Sequence, residues 1–138
     1  MKVFLDASVL VAATLSRKGG SFRVVYESSV RGFQLVTSRY ACHETEGTLQ
    51  RAYPAFLDTF HQLTPFLTVG EEPPVLLVKK LCALIDVTDA PILAAAVSSR
   101  SRILLTLDRK HFIGNRRIPQ HYPALTILTP GDFIQKYF

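Results

Sequence analysis

The sequence predicts an α/β protein with three layers, α/β/α, in which helices cover both faces of a central, mainly parallel sheet. Short, mostly apolar runs typical of buried parallel strands recur at residues 2–5, 33–37, 103–107 and 125–128. Helical segments separate them, and strands joined in this way pair in parallel through right-handed crossovers. With 138 residues and 48% hydrophobic content, the chain can build one sizeable core, so we expect a single domain over residues 1–138.

The first half of the chain begins with a strand-to-helix turn, because the first apolar run leads directly into Asp6, Ala7 and Ser8. A break around the Gly19-Gly20 pair separates two helices, and Ser38 is well placed to cap a third. The predicted elements, in order, are a strand at 2–5, a helix at 6–15, a helix at 22–31, a strand at 33–37 and a helix from 39 to about 52.

The second half continues the alternation. Thr88 is predicted to cap a helix that has Pro91 in its first turn, and Thr129-Pro130 is predicted to begin the last helix. The predicted elements, in order, are a helix at 56–63, a strand at 66–69, an amphipathic helix at 75–85, a helix at 89–97, a strand at 102–107, a strand at 125–128 and a helix after 129.

Composition narrows the class of protein. The formal net charge is +5 and the isoelectric point is about 9.5, which favours attraction to a polyanion, although a merely solvated basic surface explains the charge equally well. Cys42 and Cys82 do not make a disulfide framework or a zinc site, so we expect a reducing, cytoplasmic setting. No apolar stretch is long enough to span a bilayer, and Asp6 interrupts the run that could suggest a signal peptide.

Four acidic residues stand where this fold would bring them together. Parallel sheets bind ligands at the carboxyl ends of their strands, and Asp6 and Asp108 each follow a predicted strand. Glu44 lies early in one helix and Asp89 begins another, so both can pack against the same edge. Two carboxylates about 4 Å apart repel by about 4 kcal/mol at an effective dielectric constant near 20. The cluster is therefore expected to hold a cation, and hard oxygen ligands favour Mg²⁺ or Mn²⁺.

Each acid also has a simpler explanation. Asp6 and Asp89 stand at helix starts, where carboxylates are favoured, and either one alone would be explained in that way. Asp108 is different, because a charge directly after an apolar strand needs solvent, a partner or a metal, and we favour a functional role there. Helical periodicity does not choose between Glu44 and Glu46, since both flank the apolar stripe of their helix.

Histidines and basic residues complete the candidate set. The four histidines include no i, i+4 pair, so a histidine-based zinc site is not predicted. His111 alone, three residues after Asp108, could reach a phosphate or the acidic edge. Asp86, one turn before Asp89, is predicted to have a supporting role. Predicted loops around the rim of the site carry positive charges that would bind a phosphate backbone: Arg17, Lys18, Arg109, Lys110, Arg116 and Arg117.

Taken together, four segments of the sequence resemble the PIN domain family, which includes metal-dependent ribonucleases that act as VapC-like toxins of toxin–antitoxin modules. The resemblance extends over nearly the whole chain, although residues 54–85 match no motif. The tail at 125–133 is similar to that of the bacterial and archaeal toxin branch. The four segments are residues 4–10, 36–49, 86–93 and 103–108.

The resemblance implies a role for individual residues. It prefers Glu44 over Glu46, and it makes Ser8 and Thr106 polar supporters of the site. The implied activity is Mg²⁺- or Mn²⁺-dependent hydrolysis of phosphodiester bonds in single-stranded or looped RNA. Implied further partners are a cognate antitoxin protein and a second copy of the chain. The catalytic and metal-binding residues that it implies are Asp6, Glu44, Asp89 and Asp108.

Two other functions fit parts of the sequence. The same fold could carry nucleic acid or a protein partner without catalysis, with the acids as caps and surface charge; the presence of all four acids argues against this. A phosphoacceptor signalling domain would need adjacent acids after the first strand, and Asp6-Ala7-Ser8 supplies only one.

Overall fold

The computed structural model describes residues 1–138 and contains one five-stranded sheet in which every neighbouring pair of strands is parallel. Helices flank the sheet, so the predicted α/β/α architecture is confirmed. The strands are β1 (Lys2–Leu5), β2 (Gln34–Thr37), β3 (Thr68–Val69), β4 (Ile103–Leu105) and β5 (Thr126–Leu128), in the spatial order β3-β2-β1-β4-β5.

Eight α-helices connect and follow the strands. Ser38 and Thr129 cap two of them as predicted, since each hydroxyl accepts a hydrogen bond from a backbone N–H three residues later. None of the helices has the length and hydropathy needed to cross a membrane. The helices are α1 (Ala7–Leu15), α2 (Gly20–Glu27), α3 (Arg39–Ala52), α4 (Leu57–Leu63), α5 (Val75–Leu81), α6 (Ala90–Ser98), α7 (Arg117–His121) and α8 (Pro130–Tyr137).

The order of the strands places helices on both faces of the sheet. The chain moves from β1 outward to β2 and β3, and then crosses back to β4 and β5 on the other side of β1. Because crossovers are right-handed, the two directions of winding put their helices on opposite faces. On one face α1 packs against α2 and α3, and α8 packs against α2; α5 and α6 pack together on the other. The central strands are therefore covered twice, and residues 3–5 and 103–105 are at most 1% exposed.

Several predicted boundaries were wrong by a few residues; the helix predicted at 22–31, for example, spans Gly20–Glu27. Two of the changes have a clear cause. The strand predicted to run to Leu107 ends two residues earlier, because the Leu107 N–H turns away from the sheet and donates to the Ser8 hydroxyl at 3.0 Å. The helix predicted to run to Ile85 ends at Leu81, where the next turn tightens and the Ala83 N–H bonds to the carbonyl three residues back. The first of these changes brings the segment after β4 close to the start of α1.

Candidate active site

Asp6 and Asp108 lie side by side because their strands are neighbours. β1 and β4 pair in parallel with Leu5 opposite Leu105, and the Asp6 N–H extends this ladder by donating to the Leu105 carbonyl at 3.0 Å. Both aspartates follow the carboxyl ends of their strands, with Asp108 three residues beyond β4. The edge predicted from the sequence is therefore where the two side chains are found.

Asp6 both caps a helix and belongs to the acidic site. One carboxylate oxygen, Oδ1, accepts from the Ala7 N–H at 2.6 Å at the start of α1; the other, Oδ2, accepts from the hydroxyls of Ser8 at 3.1 Å and Thr106 at 2.7 Å. Burial nevertheless raises the pKa of Asp6 above its usual value; these hydrogen bonds oppose the rise and the charge of Asp108 adds to it. The carboxylate is thus held in a fixed position where its negative charge is costly.

Two hydroxyls join Asp6 to the segment that carries Asp108. The Ser8 Oγ, which donates to Asp6, accepts the Leu107 N–H at 3.0 Å. The Thr106 Oγ1, which also donates to Asp6, accepts the Asp108 N–H at 3.0 Å and is fully buried. The two hydroxyls therefore fix the position of Asp6 relative to the backbone N–H groups of Leu107 and Asp108.

We expect Thr106→Val to weaken both the fold and the site. Valine has nearly the shape of threonine but no hydroxyl, so the Asp108 N–H loses its acceptor and Asp6 loses its closer hydroxyl donor. Leaving a buried polar partner unsatisfied costs about 1–3 kcal/mol. Loss of a group that orients a metal ligand typically lowers metal affinity about 10–100-fold. Urea unfolding measures the first effect, and calorimetric titration with Mn²⁺ measures the second.

Thr106→Ser is the matched control, because it removes the methyl group and keeps the hydroxyl. It should bind Mn²⁺ much more tightly than the valine variant. Equal affinities in the two variants would show that the hydroxyl and its hydrogen bonds do not govern metal binding at this position.

Asp108 and Asp89 face each other across His111. The Asp108 Oδ1 accepts a hydrogen bond from the backbone N–H of His111 at 2.9 Å. The ring Nδ1 of His111 lies 2.9 Å from the Asp108 Oδ2 and 3.6 Å from the Asp89 Oδ2. The hydrogen bond to Asp108, its charge and that of Asp89 raise the pKa of His111. Ligand atoms of the three residues lie within 4.8 Å of one another, so this group could hold a metal ion.

Asp89 occupies the cap position of α6 without acting as a cap. Its carboxylate makes no capping hydrogen bond, so the simpler explanation from the sequence does not account for it. Burial raises its pKa; the charge of His111 opposes the rise, and the charges of Asp108 and Asp6 add to it. The carboxylate is turned toward the acidic cluster.

The turn before α6 is organised by Asp86 and not by Thr88. The prediction that Thr88 caps α6 was wrong, because its N–H and hydroxyl both donate to the Asp86 Oδ1, at 2.9 and 2.7 Å. These bonds lower the pKa of Asp86, which therefore favours its charged form. The Tyr40 hydroxyl on α3 donates to the Thr88 carbonyl at 3.0 Å and so links α3 to this turn. The sequence reasoning did not select Tyr40, and no motif in the sequence marks it.

The structure separates the two glutamates of α3. Although the Glu44 side chain reaches solvent, partial burial of its carboxyl group and the charges of Asp6 and Asp89 raise its pKa to about 7. The Glu46 Oε1 lies instead 4.0 Å from the His61 Nε2 on α4. Of the two, Glu44 is therefore the one that responds to the charges of Asp6 and Asp89, whereas the group close enough to hold one ion jointly consists of Asp89, Asp108 and His111, without Glu44 or Asp6.

The predicted basic residues are exposed, and their local structure is only partly as expected. Arg17 and Lys18 lie in the loop after α1, as predicted. The prediction of a loop after Asp108 was wrong: residues 109–113, which include Arg109, Lys110 and His111, form a π-helical turn. Arg116 directly precedes α7 and Arg117 is its first residue, so this segment is also more ordered than expected. Their relation to a nucleic acid stays a prediction.

The chain is similar to known proteins in sequence pattern and in fold. The model of the PIN domain family matches residues 2–110. Among solved structures, VapBC2 from Rickettsia felis bound to a promoter DNA fragment is 13% identical with a TM-score of 0.71, covering 94% of this chain and 98% of that one. VapBC-1 from nontypeable Haemophilus influenzae is 18% identical with a TM-score of 0.65, covering 95% and 99%. The sarcin-ricin loop cleaving toxin VapC20 from Mycobacterium tuberculosis is 17% identical with a TM-score of 0.59, covering 78% and 91%.

The fold and the site define a class of protein with an α/β/α architecture and acidic residues at the carboxyl edge of a parallel sheet. Since the family model covers most of the chain, the chain belongs to the PIN domain family. The structural similarities, at low sequence identity, establish a shared fold. A comparison with the sequences of curated proteins finds no match.

Proposed function

We propose that this protein is a Mg²⁺- or Mn²⁺-dependent endoribonuclease and the toxin component of a toxin–antitoxin module. The observation that carries the proposal is the group formed by Asp89, Asp108 and His111, whose ligand atoms lie within 4.8 Å of one another, with the charges of Asp108 on Asp6 and of Asp6 and Asp89 on Glu44 extending it. The pKa values of Asp6, Glu44 and Asp89 are all raised, first by burial and further by the negative charges of neighbouring acids, so the charged forms of these side chains are costly in the protein alone. Such a site is stabilised by a cation.

The donor set fits a hard divalent ion. All four acids offer oxygen ligands, the kind that Mg²⁺ and Mn²⁺ prefer, and the ligand atoms of Asp89, Asp108 and His111 lie within 4.8 Å of one another. When bound, the ion would supply Lewis acidity that activates a water molecule and offsets charge on the phosphate. Ser8 and Thr106 would hold Asp6 in position for this role.

A phosphate chain is the substrate class that the surroundings of the site favour. The acids alone would repel it, but exposed cations follow directly after Asp108, namely Arg109 and Lys110, and the protein as a whole carries a net charge of +5. A single-stranded or looped RNA can bend its backbone toward recessed carboxylates more easily than a regular duplex can. The similarity in fold to a toxin that cleaves the sarcin-ricin loop supports the choice of RNA.

Protein partners belong to the same proposal. Two of the similar structures are VapBC complexes, and this supports a cognate antitoxin as a partner of the chain. The exposed side chains of Val75 and Leu76 on α5, at 69% and 79%, offer apolar surface for an antitoxin or for a second copy of the chain.

The test is a cleavage assay with purified protein and mixed single-stranded RNAs in the presence of Mn²⁺, Mg²⁺ or EDTA. We expect internal cuts with either ion and intact RNA in EDTA. RNA that is bound but stays intact in all three conditions would contradict the proposed activity and favour a non-catalytic binding module with the same fold.

A further inference from the structure

A second feature of the carboxyl edge is a groove between α2 and α8 with a volume of about 440 Å³. Its charged lining consists of Arg17, Lys18 and Arg23 with a single acid, Glu27. Glu27 is already engaged on both sides, since its carboxylate lies 3.0 Å from the Arg23 Nε and 3.1 Å from an Arg31 nitrogen. Arg17 and Lys18 have no carboxylate within ion-pair distance, so the groove keeps two uncompensated positive charges.

Aromatic rings form one wall of the same groove. Phe22 and Tyr26, one turn apart on α2, stack with their ring centroids 4.2 Å apart, and both line the groove. Phe66 packs on Tyr26 at 4.4 Å and is 40% exposed. Cations beside a stacked aromatic surface are the combination that binds single-stranded nucleic acid, because phosphates pair with the charges and bases lie against the rings.

The groove opens at the edge of the sheet that carries the acids. A methyl group placed on Gly20 would lie 3.8 Å from the Gly131 backbone nitrogen and from the Pro130 Cβ, so the start of α2 packs on the first turn of α8. That turn directly follows β5, whose last residue, Leu128, accepts a hydrogen bond from the Thr106 N–H. Thr106 in turn donates to Asp6. The start of α2, where the groove begins, therefore lies on the same edge of the sheet as the acidic cluster.

We infer that the groove formed by Arg17, Lys18, Arg23, Phe22 and Tyr26 is a binding subsite for single-stranded RNA adjoining the bond to be cut. The inference rests on the proposed function and adds to it the path of the flanking nucleotides. Arg17 and Lys18 bind two successive phosphates, and a base lies against Phe22. Binding at this subsite does not require the metal ion, because none of its residues belongs to the acidic cluster.

The test measures RNA binding in EDTA, where the RNA stays intact. A fluorescein-labelled single-stranded RNA of about 12 nucleotides is titrated with the protein and followed by fluorescence anisotropy between about 50 and 200 mM salt. The test variant is Arg17→Gln/Lys18→Gln. The matched control is Lys79→Gln/Lys80→Gln, which removes the same charge from exposed positions on α5, in the helical layer on the opposite face.

The test variant should bind about tenfold more weakly near 100 mM salt, and the slope of log Kd against log salt should fall by about 1.4, which corresponds to two lost phosphate contacts. The control should remain close to the wild type. RNA containing 5-iodouridine should photo-cross-link to Phe22 or Tyr26. Equal weakening in both variants, no RNA binding by the wild type, or cross-links confined to other elements would overturn the inference. If the binding difference is found but RNA is never cut with Mn²⁺ or Mg²⁺, the subsite stands and the proposed catalytic function fails.

Discussion

Replacing Asp108 with asparagine should reduce metal-dependent RNA cleavage by about a thousandfold or more, equivalent to about 4 kcal/mol of lost transition-state stabilisation. Asparagine keeps the shape of the side chain, and its carbonyl oxygen can still accept the His111 N–H. The substitution removes the negative charge of Asp108 from the acidic cluster and from its contact with the His111 ring. The rate of cleavage under single-turnover conditions with saturating Mn²⁺ measures the effect.

The matched control for this variant is Asp58→Asn. Asp58 is an exposed acid in the first turn of α4, and the same substitution there changes the net charge equally. It should cleave RNA at the wild-type rate. Cleavage by Asp108→Asn at the wild-type rate would contradict the assignment, and cleavage that also survives EDTA would identify a contaminating nuclease. Thermal unfolding in EDTA should show that the variant remains folded.

The position of Asp6 and Asp108 could be predicted because both follow apolar runs. In a parallel sheet, the residues that follow the strands lie at one edge. Identifying the two strands in the sequence was therefore enough to predict where Asp6 and Asp108 lie. The order of the strands could not be predicted in the same way. The sequence predicts a strand at 66–69, of which only Thr68 and Val69 form β3; both are exposed, so their pattern does not indicate which strand they pair with. A short edge strand of this kind is defined by its pairing with a neighbouring strand. Local sequence patterns carry no information about that pairing.

The choice between Glu44 and Glu46 required tertiary structure. Both flank the same apolar stripe of α3, and what separates them is which element packs on each flank. The carboxyl end of β1 and the start of α6 lie on one side, where Glu44 senses the charges of Asp6 and Asp89; α4 lies on the other, with His61. The resemblance to the PIN family also prefers Glu44, because a family pattern carries information about packing that helical periodicity lacks.

The contact between His111 and the acids also depends on structure that has no clear sequence signal. The sequence placed the histidine three residues after Asp108, within reach of the edge. The π-helical turn at 109–113 decides where it goes, because this turn returns the ring to Asp108 and brings its Nδ1 within 3.6 Å of Asp89. π-Helical turns are uncommon and are often found at functional sites. Here the turn places inside an acidic cluster a histidine whose pKa is raised by its acidic neighbours.

Glu44→Gln should make the metal-free protein more stable while it impairs the site. The carboxyl group of Glu44 has no hydrogen bond that the substitution would break, and it lies near two like charges. Its pKa is raised from 4.5 to about 7 in the folded protein, so the folded state holds a proton more tightly than the unfolded state. The resulting stabilisation is complete below about pH 4.5 and is lost as the pH rises through about 7. Glutamine carries no such penalty at high pH.

The measurement is the melting temperature in EDTA from about pH 5 to about pH 8. The wild type should lose stability over this range more steeply than Glu44→Gln, and the variant should melt several degrees higher at the alkaline end. Asp6 and Asp89, whose pKa values are also raised, should leave a residual slope of the same sign in the variant.

Saturating Mn²⁺ should reverse the order of the two proteins. An ion that binds only the folded state stabilises it by RT ln(1 + c/Kd), where c is the free ion concentration, so tighter binding gives more stability, and the wild type offers one more negative ligand. Glu46→Gln, on the same helix but beside His61, should follow the wild type in both EDTA and Mn²⁺. If Glu44→Gln and Glu46→Gln behave alike, Glu44 does not share the charge of the cluster. The two effects have the same origin, because the carboxylates whose burial and mutual repulsion destabilise the wild type in EDTA are the ligands that the ion stabilises.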